Sequence, residues 1–199
     1  TLVIAEHDNS RLATATLNAV AAATRFEGEV DVLLAGHACD AAVAQAQTLA
    51  GVTRVLKVDA AHYAEALAEN LSVLVQQVAS TGGYRAVLVG ASSFGKNLAP
   101  RVAALLDVAA VSDVVAISAP GRYERPIYAG NVMVNIESDQ ALDVLTVRTT
   151  AFDAVAEGGS AALEEIAAGP DLALSRLIGR ELSKSERPEL GAAAIVVSG

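Results

Sequence analysis

Residues 84–115 read YRAVLVGASSFGKNLAPRVAALLDVAAVSDVV, and their pattern decides the fold. Arg85-Ala86-Val87-Leu88-Val89 is a short apolar run, the mark of a strand buried on both faces. Gly90-Ala91-Ser92-Ser93-Phe94-Gly95-Lys96-Asn97 follows as a small, polar, glycine-flanked loop. A helix comes next, with Pro100 expected in its first turn, where a missing N–H costs little, and with Leu98, Val102, Leu105 and Leu106 on one face. A loop at the carboxyl end of a parallel strand, leading into a helix, is where α/β proteins bind anions.

Upstream, the same alternation repeats. Strands are expected at Leu2–Ala5, Val30–Ala35 and Arg54–Val58. Helices are expected at Leu12–Arg25, Cys39–Ala50 and Tyr63–Ala79. The first should bury Ala13, Leu17, Val20, Ala21 and Thr24, and the third Leu67, Leu71, Leu74 and Val78. Gly28, Gly51 and Gly82-Gly83 stop these helices. Successive strand–helix units imply an α/β fold: a Rossmann-like parallel sheet flanked by helices, with right-handed crossovers.

Downstream the pattern changes. After Val114–Ile117 and the Pro120-Gly121 turn, Arg122–Tyr128 and Asn131–Ile136 read as a hairpin about Ala129-Gly130. Val132, Val134 and Ile136 alternate with polar neighbours, the period of a half-buried antiparallel strand. The parallel fold thus carries a late antiparallel excursion, with a further strand at Val144–Val147. Ala151–Pro170 reads as irregular with a helix near Leu163–Ala167, and Asp171–Arg180 as a last strand or short helix. Lys184–Leu190 is a charged linker broken by Pro188, and Ala192–Val197 a new apolar strand. The expected boundary puts an α/β domain at 1–188, and a linker end plus the first strand of a second domain at 189–199.

Of 199 residues, 53% are hydrophobic, so a large core is available, yet no apolar run reaches the length of a membrane span. Net charge is −9 and there is no basic stripe, which argues against nucleic acid as a partner. Cys39 is the single cysteine, so an internal disulfide is excluded and a reducing compartment is the natural reading. No basic or amphipathic leader precedes Leu2-Val3-Ile4-Ala5.

Candidate chemistry is sparse. Gly90, Gly95 and Lys96 fit the phosphate-loop spacing, but Asn97 stands where a Mg²⁺-binding Ser or Thr is needed. Ser92 and Ser93 lack the following glycine of a nucleophile elbow. His37 and Cys39 are a poor chelate by spacing, His7 and His62 are isolated, and Glu6/Asp8 and Glu164-Glu165 read as solvated carboxylates. Tyr63, Tyr84, Tyr123 and Tyr128 are too dispersed to stack bases. From the residues alone, no active site is expected. The alternative reading is a stand-alone nucleotide-binding module of the universal-stress-like type, using Glu6, His7, Ser92, Gly95 and Lys96.

The chain resembles the α-subunit of electron transfer flavoproteins over nearly its full length. The resemblance rests on Val3–His7, Gly90–Ala104, Val111–Val114, Arg125 with Ile127–Asn131, Val147–Thr149, Phe152-Asp153 and Lys184–Leu190. The family usually has aspartate where Glu186 stands. The resemblance implies a heterodimer with a β-subunit that carries electrons, by FAD, from flavin dehydrogenases to a quinone oxidoreductase of the respiratory chain, as in fatty acid oxidation. It implies a cytoplasmic or mitochondrial-matrix location. FAD sits mainly in the family's C-terminal α domain, entered by a Ser-Gly-Gly-Arg-Gly turn. Ser198 and Gly199 match the first two residues of that turn and are the expected cofactor-binding residues; no FAD is expected on residues 1–199 alone. The implied role of this segment is scaffold and subunit interface, with no catalytic residue or metal of its own.

Overall fold

The computed structural model describes residues 1–179, 181 and 195–197. Among them, the strands are β1 (Leu2–Ile4), β2 (Asp31–Gly36), β3 (Arg54–Asp59), β4 (Ala86–Gly90), β5 (Ala110–Val114), β6 (Ala116–Ala119), β7 (Arg122–Ile127), β8 (Val132–Glu137), β9 (Asp143–Val147) and β10 (Ala162–Glu165). The helices are α1 (Thr14–Ala23), α2 (Asp40–Gln47), α3 (Ala68–Thr81) and α4 (Ser93–Leu106). A seven-stranded sheet has the order β10-β3-β2-β1-β4-β9-β5, with every pair parallel. A separate antiparallel sheet, β6-β7-β8, grows from the connection between β5 and β9. The expected fold class and its antiparallel excursion are both present.

The apolar strands have two buried faces because successive side chains point to opposite sides. Val3, Val32, Leu34, Val55, Leu88 and Leu145 face one core, shared with Ala19 and Val20 of α1 and Val43 of α2. Leu2, Leu33, Leu56, Val87, Val89 and Val144 face the other, shared with Leu71 and Leu74 of α3 and Leu98 and Val102 of α4. The chain steps from β1 outward to β3, then returns to β4 on the opposite side of β1. The carboxyl ends of β1 and β4 therefore flank the switch point, where α/β sheets open a crevice.

Several expectations are corrected. Pro100 lies well inside α4 rather than in its first turn, because the helix starts at Ser93 behind an Ser92 N-cap. Pro100 and Lys96 are both exposed, so water can serve the Lys96 carbonyl that proline leaves without a donor. Leu105 is 49% exposed and is not on the buried face. Thr24 is exposed, and α1 instead buries Thr16, Asn18, Ala19, Val20, Ala22 and Ala23, since an alanine-rich helix carries little amphipathic signal to read. The helix expected from Tyr63 begins at Ala68, after a 3₁₀ turn at Ala61–Tyr63 and a left-handed Ala66. Leu163–Ala167 is not helical: Ala162–Glu165 form β10, an edge strand parallel to β3. Asp171–Gly179 form neither strand nor helix. Lys184–Leu190 and the boundary at 188 lie outside the described residues; of Ala192–Val197, only Ile195–Val197 are described, and they form no strand.

Candidate functional site

The turn from β4 into α4 is built by close packing. A Cβ on Gly95 would lie 1.9 Å from the Gly90 carbonyl oxygen, so the first turn of α4 can sit on the end of β4 only if residue 95 lacks a side chain. A Cβ on Gly90 would lie 2.8 Å from the Ala15 Cβ, which brings α1 against the same point. Ser92 caps α4: its Oγ accepts from Gly95 N at 3.3 Å. The same hydroxyl donates to Glu6 Oε2 at 2.6 Å. The helix start thus already has a carboxylate, held through Ser92, where an anion would otherwise be taken. Ala91 N donates to Val147 O at 2.7 Å, which ties the loop to β9. Lys96 and Asn97 point outward as exposed residues.

Across the switch point, β1 ends in residues that fill the crevice. His7 Nδ1 accepts from Asn9 N at 3.0 Å, which leaves Nε2–H to donate to Ala35 O at 3.1 Å. Asn9 donates to Ala64 O and accepts from His37 N, so one side chain joins three loops. A Cβ on Gly36 would lie 2.4 Å from Asn9 Oδ1. His37 pairs with Asp59 at 3.4 Å rather than with a metal partner, and Cys39 is fully buried, its thiol pushed up by burial. Among the described residues, no group of three or more His, Cys, Asp or Glu is placed to hold a metal ion. Of the residues considered for a nucleotide site, the structure joins Glu6, Ser92 and Gly95; Ala15 packs on Gly90, and His7 and Asn9 on Gly36.

His7 makes the crevice sensitive to acid. Burial drives its imidazole below the ordinary value, and the neutral ring is the form that accepts from Asn9 N. The unfolded chain therefore takes up the proton first as pH falls. The His7 contribution is complete above about pH 6.5, the unfolded value, and is lost as pH falls below it. Urea unfolding at pH 7 and pH 5 should show a smaller loss on acidification in His7→Gln than in the native chain. Equal losses would place the acid response elsewhere.

At the other edge lie two segments that carry the resemblance but had no role assigned. Asp113 has a left-handed backbone at a bulge in β5 and forms a two-pronged ion pair with Arg148, which holds its carboxyl below the usual range. Its N–H donates to Thr146 Oγ1 at 2.8 Å. These are the residues of the Val111–Val114 and Val147–Thr149 segments, whose role is now seen to be joining β5 to β9. Asp143, fully buried, accepts from Tyr123 OH at 2.6 Å and from Ser138 Oγ, and Tyr123 OH accepts from Gly121 N. This network staples the antiparallel sheet to β9. The only signal for it was a charge opening an otherwise apolar strand. Beyond the staple, the sheet ends in a strained, exposed tip. Tyr128 and Ala129 have φ of 49° and 53°, and Tyr128 is 76% exposed beside half-exposed Val132 and Met133. Ser198 and Gly199, the expected cofactor-binding residues, lie outside the described residues.

Comparison with known proteins places this architecture. Residues 1–171 match the electron transfer flavoprotein domain model. The whole chain aligns with the electron transfer flavoprotein subunit alpha of Pseudomonas aeruginosa at 50% identity, covering 64% of that protein. It aligns with the same subunit of Bradyrhizobium diazoefficiens at 49% identity, covering 63%. A probable mitochondrial subunit alpha of Caenorhabditis elegans is 40% identical and 60% covered. The chain thus spans less than two thirds of the length of these relatives. With a Rossmann-like sheet, a glycine turn that serves packing and a match over 171 residues, the chain belongs to the electron transfer flavoprotein domain family.

Proposed function

We propose that this chain is the N-terminal structural and subunit-interface part of an electron transfer flavoprotein α-subunit. It carries no catalytic residue of its own and pairs with a β-subunit; the complete heterodimer takes electrons from flavin dehydrogenases and passes them, by FAD, to a respiratory-chain quinone oxidoreductase. The observation that carries the reading is the family match over residues 1–171 with relatives named as α-subunits. The antiparallel sheet supports the partner assignment: it is braced by the Tyr123–Asp143 bond yet presents Tyr128, Val132 and Met133 to solvent.

In this reading the described residues do not hold the FAD. The glycine loop of phosphate-loop spacing is used for packing: a Cβ on Gly95 would lie 1.9 Å from the Gly90 carbonyl oxygen. In this reading the cofactor is held elsewhere, with Ser198 and Gly199 opening its binding turn and residues 189–199 forming the entry to a second domain. Among the described residues no helix is long and apolar enough to cross a membrane. On the same reading the carrier is cytoplasmic or of the mitochondrial matrix.

The test is co-expression of the native full-length chain with the β-subunit of the same genome. A one-to-one complex with the visible absorption of a flavin is expected. A chain that stays alone and binds AMP or ATP with micromolar affinity in calorimetry would favour the nucleotide-module reading instead.

A further inference from the structure

After β10 the chain crosses back over α3, and side chains of that region hold its backbone. Gly169 N donates to Tyr63 OH at 3.1 Å, and the Tyr63 side chain is itself buried. Asn70, only 5% exposed, uses both ends of its amide: Oδ1 accepts from Leu172 N at 3.0 Å, and Nδ2 donates to Asp171 Oδ1 at 3.0 Å. Asp171 Oδ1 also accepts from Ala173 N, and Ala173 is left-handed, so the chain turns sharply where Asn70 grips it. Glu69 then accepts from Ser175 Oγ at 3.1 Å and from Arg101 of α4 at 3.0 Å. Among the described residues, no hydrogen bond or ion pair is recorded for Arg176–Gly179 beyond this point. A segment without helix or strand is thus fastened at Gly169, Asp171–Leu172 and Ser175 by residues of the 3₁₀ turn and α3. A buried amide that accepts from Leu172 N and donates to the Asp171 carboxylate, with a longer contact to His62 O, is costly to leave unpaired, so the grip is specific.

We propose that residues 168–175 are a latched strap, with Asn70 as its clamp, and that the latch fixes where the chain leaves the α/β domain. With the latch closed, the chain beyond Ser175 lines a cavity with Ala61, His62 and Leu67 as far as Gly179. With Asn70 removed, the middle of the strap is freed, and only the Tyr63 bond at Gly169 and the Glu69 bond at Ser175 remain to hold it. Once those two bonds also open, residues 167–175 add up to about 31 Å of reach, at about 3.4 Å per extended residue, as far as Ile166, whose N–H bonds the Lys57 carbonyl. Resting on the flavoprotein reading, the latch sets how far the α/β domain can move from the cofactor-bearing part of the molecule. Asn70 is a positioning residue in that sense.

The test is amide hydrogen exchange on the native full-length protein. In Asn70→Ala, peptides covering 168–175 should exchange about tenfold faster or more, while β4 peptides keep their native rate. Tyr63→Phe should speed exchange only near Gly169. Asp171→Asn keeps the Oδ1 acceptor and should leave the strap protected. Spin labels on Ser80→Cys and Gly179→Cys should give a narrow distance distribution in the native background and a broad one with Asn70→Ala. Unchanged strap exchange in both Asn70→Ala and Tyr63→Phe, or an unchanged distance distribution, would overturn the proposal. These readings do not need flavin: a native protein without FAD would sink the electron-carrier reading and leave the latch standing.

Discussion

Gly95→Ala is expected to destabilise the domain by roughly 3–5 kcal/mol, read as a lowered urea midpoint with an unchanged slope. The added Cβ would stand 1.9 Å from the Gly90 carbonyl oxygen, a backbone atom with nowhere to go. Gly90 is itself pressed against Ala15 of α1, and its strand is buried between β1 and β9. Relief would require α4 to lift from the sheet, uncovering Leu98 and Val102, which are almost fully buried. Gly179→Ala, with open space around it, is the control and should be neutral. A cost below about 1 kcal/mol at Gly95 would mean that the loop has room to spare, and room there is what a ligand cradle would need.

Asp143→Ala is expected to cost about 3 kcal/mol, in the range for breaking a buried charged network. The carboxylate is fully buried and takes hydrogen bonds from Tyr123 and Ser138; truncation leaves both hydroxyls without that acceptor. Tyr123→Phe removes one of those bonds and keeps the ring packed near Phe26, so it should cost about 1 kcal/mol. The larger change also acts at a distance. Without the staple, β6–β8 lose their tie to β9, and hydrogen exchange in β7 and β8 should rise more than in β1 or β4. Equal protection in all four strands would show that backbone pairing alone holds the antiparallel sheet.

These two residues mark how far the sequence could be read. The buried parallel strands were legible because a strand covered on both faces must be apolar throughout, as Val87–Val89 and Leu33-Leu34 are. The hairpin was legible from its alternation and its Ala-Gly tip. What stayed hidden depends on contacts between distant segments. Ala162-Leu163-Glu164-Glu165 has the composition of a helix; it is a strand because Arg54 and Lys57 of β3 pair with Glu164 and Glu165 and offer an open edge. Pro100 suggested a helix start, but the Ser92 cap and the Gly95 contact place the start earlier. The glycines at 90 and 95 showed a phosphate-loop spacing, and only the tertiary packing of α1 and α4 shows that the space is already taken. Asp143 was not singled out at all. Its partner Tyr123 is 20 residues away on another sheet, a pairing no local pattern records.

On the proposed reading this domain is joined to a second subunit. The direct measurement is the stoichiometry and flavin content of the native full-length chain co-expressed with its β-subunit, beside the same preparation carrying Asp143→Ala. The expected result is a one-to-one flavin-containing complex for the native chain and a reduced yield of complex for the variant. A native chain that purifies alone, without flavin, would contradict it.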